Sequence, residues 1–250
     1  MRTPSVIDAP DKRLAFLKQV VPFADLKEDD LRILVNDFRP RAYEKDALIF
    51  RQGDTDCDLY LIVEGKVRIY KLSPSGNETS INIFSTRNII GEFAAIDCQP
   101  RSATAKALEN CTLLEMTQDQ FMRRMREMPD LAIGMARLLT HKVRWATEYA
   151  ETIAQYDAAG RLLHILLVYN NQFGKEIEAG KRYELDLAVN QADLASLVGA
   201  RREWVNRILQ NWHRDGLVEY KAGKVLILDL PRVVQARDSR IEANRQKTNW

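Results

Sequence analysis

Hydrophobic positions along the chain follow three successive periods. Leu14 to Val21 and Leu26 to Phe38 repeat at helical spacing, and the Lys27-Glu28-Asp29-Asp30 run, or Asp25 before it, opens the second helix with acid where the helix dipole favours it. From Arg41 to Met116 the period shortens to that of strands. Ala47-Leu48-Ile49-Phe50, Leu59 to Val63, Val67 to Tyr70 and Ile81 to Phe84 are short apolar runs punctuated by Gly53, Gly65, Gly76 and Gly91. This pattern predicts an antiparallel sandwich or barrel with tight turns. A helical period without proline then returns from Leu131 to about Tyr156.

That long helix carries two adjacent stripes. Leu131, Met135, Leu138, Lys142, Trp145, Tyr149 and Thr152 form one, and Leu139, Val143, Ala146, Ala150 and Ile153 form the other. One face is expected to pack on the strand domain and the other on a second copy of the helix, with Leu138 and Trp145 near the axis of a homodimer. Asp157-Ala158-Ala159-Gly160-Arg161 interrupts the stripes as a hinge, and Asp157 is placed to cap a helix over Arg161 to Asn170. Gln172 to Lys181 is expected as a polar loop. After the strand signals that follow, Leu230-Pro231 opens a last amphipathic segment, Val233 to about Asn244. Residues 1–12 and the final residues are expected to be loose.

The most informative pattern lies between Asp186 and Leu228. Asn190 precedes the short helical run Gln191 to Val198 as a candidate cap, Gly199 supplies the turn, and a second helix buries Val205, Ile208, Leu209 and Trp212 on one face. Its other face carries Arg201, Arg202, Glu203, Asn206 and Arg207. Leu217 to Tyr220 and Val225 to Leu228, joined by Lys221-Ala222-Gly223-Lys224, predict a hairpin with a basic tip. A helix-turn-helix with a hairpin wing is a DNA-binding head. Arginine reads guanine with two hydrogen bonds and glutamate accepts from cytosine, so Arg202, Glu203 and Arg207 are the expected base readers. Gln191, Arg201, Lys221 and Lys224 are expected on phosphates.

Gly199-Ala-Arg-Arg-Glu-Trp-Val-Asn-Arg207 resembles the recognition helix of the cyclic-AMP receptor protein (CRP/FNR) family of bacterial transcription regulators. In that family's cyclic-AMP receptor branch an Arg-Glu-x-x-x-Arg pattern reads the half-site, and it falls here on Arg202, Glu203 and Arg207. Trp204 departs from the small residue usual at its place. The resemblance implies a palindromic double-stranded DNA site with TGTGA-like halves, a homodimer, and contact with RNA polymerase if the protein is an activator.

A second motif supports the same family. Ile90-Gly91-Glu92-Phe93 followed by Arg101-Ser102-Ala103 combines a glycine turn, a carboxylate that can accept from a sugar hydroxyl, and donors for a phosphate. A salt bridge between Glu92 and Arg101 in an empty roll is the structural alternative. The stretch resembles the phosphate-binding cassette of cyclic-nucleotide-binding domains, which implies a cyclic-nucleotide cofactor, cyclic AMP first and cyclic GMP second. Gly91, Glu92, Phe93, Arg101, Ser102 and Thr147 are the cofactor-binding positions so implied. Arg87-Asn88 departs from the family's usual Gly-Asp, and Ala146, next to Thr147, replaces a hydroxyl at an adenine-contacting position.

Composition adds limits. The chain has 250 residues, 46% hydrophobic and 29% charged, with no apolar run of membrane-spanning length. Three scattered cysteines, Cys57, Cys98 and Cys111, favour a reducing, cytoplasmic setting over a disulfide framework. Net charge is +2, with residues 159–250 holding 15 Lys and Arg against 11 Asp and Glu, as DNA phosphate binding favours. His141, His164 and His213 lie apart, and no catalytic set or metal cluster is visible, so no enzyme is expected. A redox or haem gas sensor of the same fold, with Cys57, Cys98 or His141 as a haem ligand, and an effector-independent regulator are the alternatives, while an iron–sulfur site would need about four closely placed cysteines.

The expectation is therefore an α+β chain. Residues 1–130 would form an N-terminal cyclic-nucleotide-binding-like β-roll with flanking helices, 131–156 the dimerisation helix, and 157–250 the winged helix-turn-helix.

Overall fold

In the computed structural model, residues 9–246 are described. The chain divides into two compact units, one ending at Arg144 and the other beginning at Trp145.

The first unit opens with α1 (Pro10–Leu17) and α2 (Glu28–Asp37), linked by a 3-10 turn over Val21–Phe23. Residues 10–12 are thus helical, with Pro10 at the helix start, where its missing N–H costs nothing. The expected looseness of residues 1–8 lies outside the described residues. Eight strands follow: β1 (Arg39–Tyr43), β2 (Leu48–Phe50), β3 (Leu59–Glu64), β4 (Val67–Leu72), β5 (Glu78–Phe84), β6 (Ile89–Ile90), then, after α3 (Glu92–Asp97), β7 (Thr104–Ala107) and β8 (Cys111–Met116). They pair antiparallel in two four-stranded sheets, ordered β1-β8-β3-β6 and β2-β7-β4-β5.

Alternation along β3 shows why the sheets stack. Tyr60 and Ile62 join Phe50, Val67, Ile69, Ala105 and Leu113 in the layer between the sheets. Leu59, Leu61 and Val63 turn to the opposite face and bury against Leu17, Phe23, Leu31, Leu34, Phe121, Leu131 and Met135. The helices therefore cover one sheet, which is why β3 is apolar on both faces. Among them is α4 (Gln118–Glu127), which the periodicity reading passed over. Thr117 caps it reciprocally with Gln120.

The long helix α5 (Pro129–Gln155) crosses from the first unit into the second. In the second unit α6 (Ala158–Phe173) starts three residues earlier than expected, with the Asp157 carboxylate accepting from Gly160 N–H at 2.8 Å. The expected polar loop over 172–181 is instead the end of α6, strand β9 (Gly174–Glu178) and the start of a hairpin with β10 (Arg182–Leu185). All five β9 residues are exposed, so the strand leaves no apolar alternation to read. After α7 (Gln191–Val198) and α8 (Arg202–Arg214) come β11 (Val218–Lys221) and β12 (Lys224–Ile227). The hairpin they form extends the β9–β10 pair into one sheet, ordered β11-β12-β10-β9. Helix α9 (Leu230–Gln246) closes the described chain and buries Val233. The expected fraying of the last residues lies beyond the described ones.

Candidate functional site

The cassette is built at the turn from β6 into α3. Gly91 stands at φ +81°, and a Cβ there would fall 2.5 Å from Arg101 Nη1 and 2.9 Å from the Asp58 carbonyl oxygen. Both the left-handed backbone and the close approach therefore require glycine. Arg101 lies across this turn and is almost fully buried. Its Nη1 donates to the Gly91 carbonyl at 3.0 Å, and its Nη2 donates to the Asp58 carbonyl at 2.7 Å and to the Asp56 carboxylate at 2.5 Å. The guanidinium carbon sits 4.3 Å from the centre of the Phe50 ring, while Nε is buried without a partner. A buried guanidinium survives only when so paired.

Glu92, in the first turn of α3, is also buried, and Lys142 of α5 donates to it at 2.7 Å. The Lys142 ammonium also donates to the Ile89 carbonyl at 2.9 Å and lies 4.8 Å from the centre of the Phe84 ring. The alternative of a Glu92–Arg101 bridge is thus not what forms, since each charge has its own partner. Ser102 is exposed beside buried Arg101, and Phe93 is half exposed. Thr147 is exposed on the part of α5 that belongs to the second unit.

The residue types suit a cyclic phosphate and ribose. In this structure Arg101 is engaged by Asp56 and by the Gly91 and Asp58 carbonyls, and one oxygen of the Glu92 carboxylate accepts from an ammonium. Asp56, Asp58 and Lys142 were missed as site residues. The acidic alternation Asp54-Thr-Asp56-Cys-Asp58 and a lysine inside an apolar stripe were the signals available.

In the second unit Asn190 caps α7 reciprocally: its side chain accepts from Asp193 N–H at 2.9 Å, and the Asp193 carboxylate accepts from Asn190 N–H at 3.2 Å. Gly199 ends the helix in the left-handed conformation. Helix α8 then buries Val205, Leu209 and Trp212 and half-buries Ile208. The opposite face exposes Arg201, Arg202, Glu203, Asn206 and Arg207, as the periodicity implies. Among the described residues, no ion pair engages Arg202, Glu203 or Arg207.

The β11–β12 turn places Ala222 and Gly223 at φ +52° and +81°, the two-residue turn that suits a twisted hairpin. Between α8 and β11 lies a groove of about 520 Å³ lined by Gln191, Asn206, Gln210, His213, Glu219 and Lys221, among others. Gln191 donates to the Asn206 side chain at 3.1 Å. Lys221 is exposed, whereas Lys224 is paired with Glu184 of β10 at 2.6 Å.

A buried-core β-roll carrying a glycine-turn cassette, a long helix, and a winged helix-turn-helix with an exposed Arg-Glu-Arg face define a type of DNA-binding transcription regulator. The cyclic nucleotide-binding domain family model matches residues 40–128, and the Crp-like helix-turn-helix domain matches residues 160–235. The chain belongs to the CRP/FNR family of transcription regulators. It is 26% identical over 213 residues to a CRP-like cAMP-activated global transcriptional regulator of Mycobacterium tuberculosis, spanning 85% of this chain and 94% of that one. It is 28% identical to the cyclic AMP receptor protein of Thermus thermophilus, over 81% of this chain and 90% of that one. The fold is also that of a c-di-GMP responsive global regulator of Xanthomonas campestris, with a TM-score of 0.69, 21% identity, and coverage of 80% of this chain and 99% of that one.

Proposed function

We propose that the protein is a homodimeric, sequence-specific regulator that places α8 of each copy in the major groove of a palindromic DNA site. The observation that carries this is the exposed Arg202, Glu203 and Arg207 face on a helix whose opposite face is locked into the core. Arg202 and Arg207 each seek guanine, and Glu203 accepts from the cytosine paired to one of them. Gln191, Arg201 and Lys221 meet phosphates, and Lys224 does so on exchanging Glu184 for one. By resemblance the half-site is TGTGA-like, and a two-fold dimer sets half-site centres about 34–36 Å apart. Contact with RNA polymerase follows if the protein activates. No catalytic role is proposed. Among the described residues no helix is long and apolar enough to cross a membrane.

The dimer would use residues 131–156, with 1–130 sensing and 157–250 reading DNA. Leu131 and Met135 are buried in the first unit and Leu138 packs on the same core, so that stripe is spent within the chain. The second stripe is the outer one. Val143 is 65% and Ile153 53% exposed, Ala146 and Ala150 are exposed, and Leu139 is half-buried, at the 4,3 spacing of a coiled-coil seam. The dimer axis is therefore moved from Leu138 and Trp145 to this stripe.

For the effector, the matched domain and the cAMP-responsive relatives make cyclic AMP the first candidate and cyclic GMP the second. The pairing of Arg101 with Asp56 and of Glu92 with Lys142 favours a second reading, a regulator that works without nucleotide. Selection from random duplexes tests the main reading: an enriched inverted repeat with guanines at the Arg202 and Arg207 positions is expected. No enrichment over the input pool would overturn it.

A further inference from the structure

We propose that Lys142 decides what the β-roll accepts, because its ammonium holds the Glu92 carboxylate, through one of its two oxygens, that a sugar hydroxyl would need. This rests on the reading of the β-roll as the sensing domain of a DNA-binding regulator. Three observations carry it. The Glu92 side chain is 5% exposed, so its carboxylate has little water to turn to and must be paired. Lys142, 20% exposed on its side chain, meets that need at 2.7 Å. It is itself held by the Ile89 carbonyl at 2.9 Å and the Phe84 ring at 4.8 Å.

A sugar hydroxyl can donate to the Glu92 carboxylate but brings it no counter-charge. It would also leave the ammonium beside the Phe84 ring without its counter-charge, and stranding one member of a buried pair is the costly way to break it. The competition at Glu92 therefore goes to Lys142. The same pair joins α3 to α5, making the contact between cassette and long helix that a bound nucleotide would otherwise have to supply. The phosphate side is closed in parallel, since Arg101 is committed to Asp56 and to the Gly91 and Asp58 carbonyls. The cassette is thus joined to the long helix by an internal cation, and operator binding should need no nucleotide.

The test uses the full chain as wild type, as Lys142→Met, which keeps the length and removes the charge, and as the exchange Glu92→Lys with Lys142→Glu. Each is titrated calorimetrically with cyclic AMP and with cyclic GMP, and its affinity for the duplex enriched by selection is measured without nucleotide. Circular dichroism confirms that each is folded. Wild type is expected to give no binding heat at millimolar nucleotide and to bind DNA without it. Lys142→Met should bind DNA about tenfold or more weakly and should take up one of the two nucleotides. The exchange should return DNA affinity to within about threefold of wild type, as restoring a pair does in a double-mutant cycle.

Submillimolar nucleotide binding by wild type overturns the proposal. So does a folded Lys142→Met that binds DNA within about twofold of wild type, a difference too small for a buried pair. If selection enriches no DNA, the regulator reading falls instead. Lys142 is then judged by the nucleotide titrations alone, where equal behaviour of wild type and Lys142→Met rejects its role.

Discussion

Arg202 and Lys221 are both exposed cations of the same head, yet their surroundings assign them different work. Arg202 stands in the first turn of α8, where the proposed docking brings a guanidinium to base edges, and Lys221 lies at the wing tip, where it would bring an ammonium to a phosphate. Arg202→Ala should therefore cost about 1–3 kcal/mol and relax selectivity at its own base pair. Lys221→Ala should weaken all sites alike and reduce the salt slope by about one. Anisotropy on matched and mismatched duplexes at two salt concentrations separates the two. An Arg202→Ala protein with base preference intact would contradict the placement of α8. Another residue-scale feature is Arg87, held at φ +73° where the family's usual residue is glycine. A left-handed arginine costs about 1–2 kcal/mol, of which glycine's extra chain entropy returns part. Arg87→Gly should raise the stability of the β-roll by about 0.5–1 kcal/mol in urea melts.

At the scale of elements, α6 carries the group that makes the DNA-reading unit sensitive to acid. Burial holds the His164 imidazole below its ordinary value, Arg237 of α9 lowers it further, and Glu148 of α5 opposes both. His164 Nδ1 is buried without a partner, and the ring packs 5.9 Å from Tyr156. Because the folded state resists the proton, the unfolded chain binds it first as pH falls through about 6.5. Stability contributed by neutral His164 is complete above that value and is lost below it. Urea melts between pH 7.5 and pH 5.5 should show the second unit weakening, and His164→Gln should flatten that dependence. An unchanged slope in the variant would place the acid sensitivity elsewhere.

For the whole molecule, the proposed dimer turns on which face of α5 would meet a second copy. Val143→Glu puts a charge on the exposed stripe and should convert dimers to monomers while leaving the melting of the β-roll close to wild type. The weaker operator binding that follows reflects loss of the paired half-sites. Leu138→Glu should instead lower stability, because Leu138 packs on the core shared by Leu131 and Met135. Light scattering together with thermal melts distinguishes the two outcomes. A Val143→Glu protein that remained dimeric at micromolar concentration would show that the seam lies on another surface.

The sequence by itself determined the features that depend on local spacing. The Asn190 cap, the Gly199 turn and the buried Val205–Leu209–Trp212 face are each set by residues within about two helical turns, where side-chain chemistry and backbone preference suffice. It also showed two stripes on the long helix, but periodicity separates faces without saying what each one meets. Only the tertiary structure spent the Leu131–Leu138 stripe inside the chain and left Val143 and Ile153 outside. It likewise turned an expected loop into the β9–β10 hairpin, whose fully exposed β9 strand is held by backbone pairing to β10 and so leaves no hydrophobic trace. The charged partners belong to the same class. Glu92 with Lys142, Arg101 with Asp56 and Lys224 with Glu184 are 50, 45 and 40 residues apart. Any exposed carboxylate could serve as a counter-ion, so spacing cannot select one. Folding selects by proximity, and for Glu92 and Arg101 by burying one member of the pair where water is scarce.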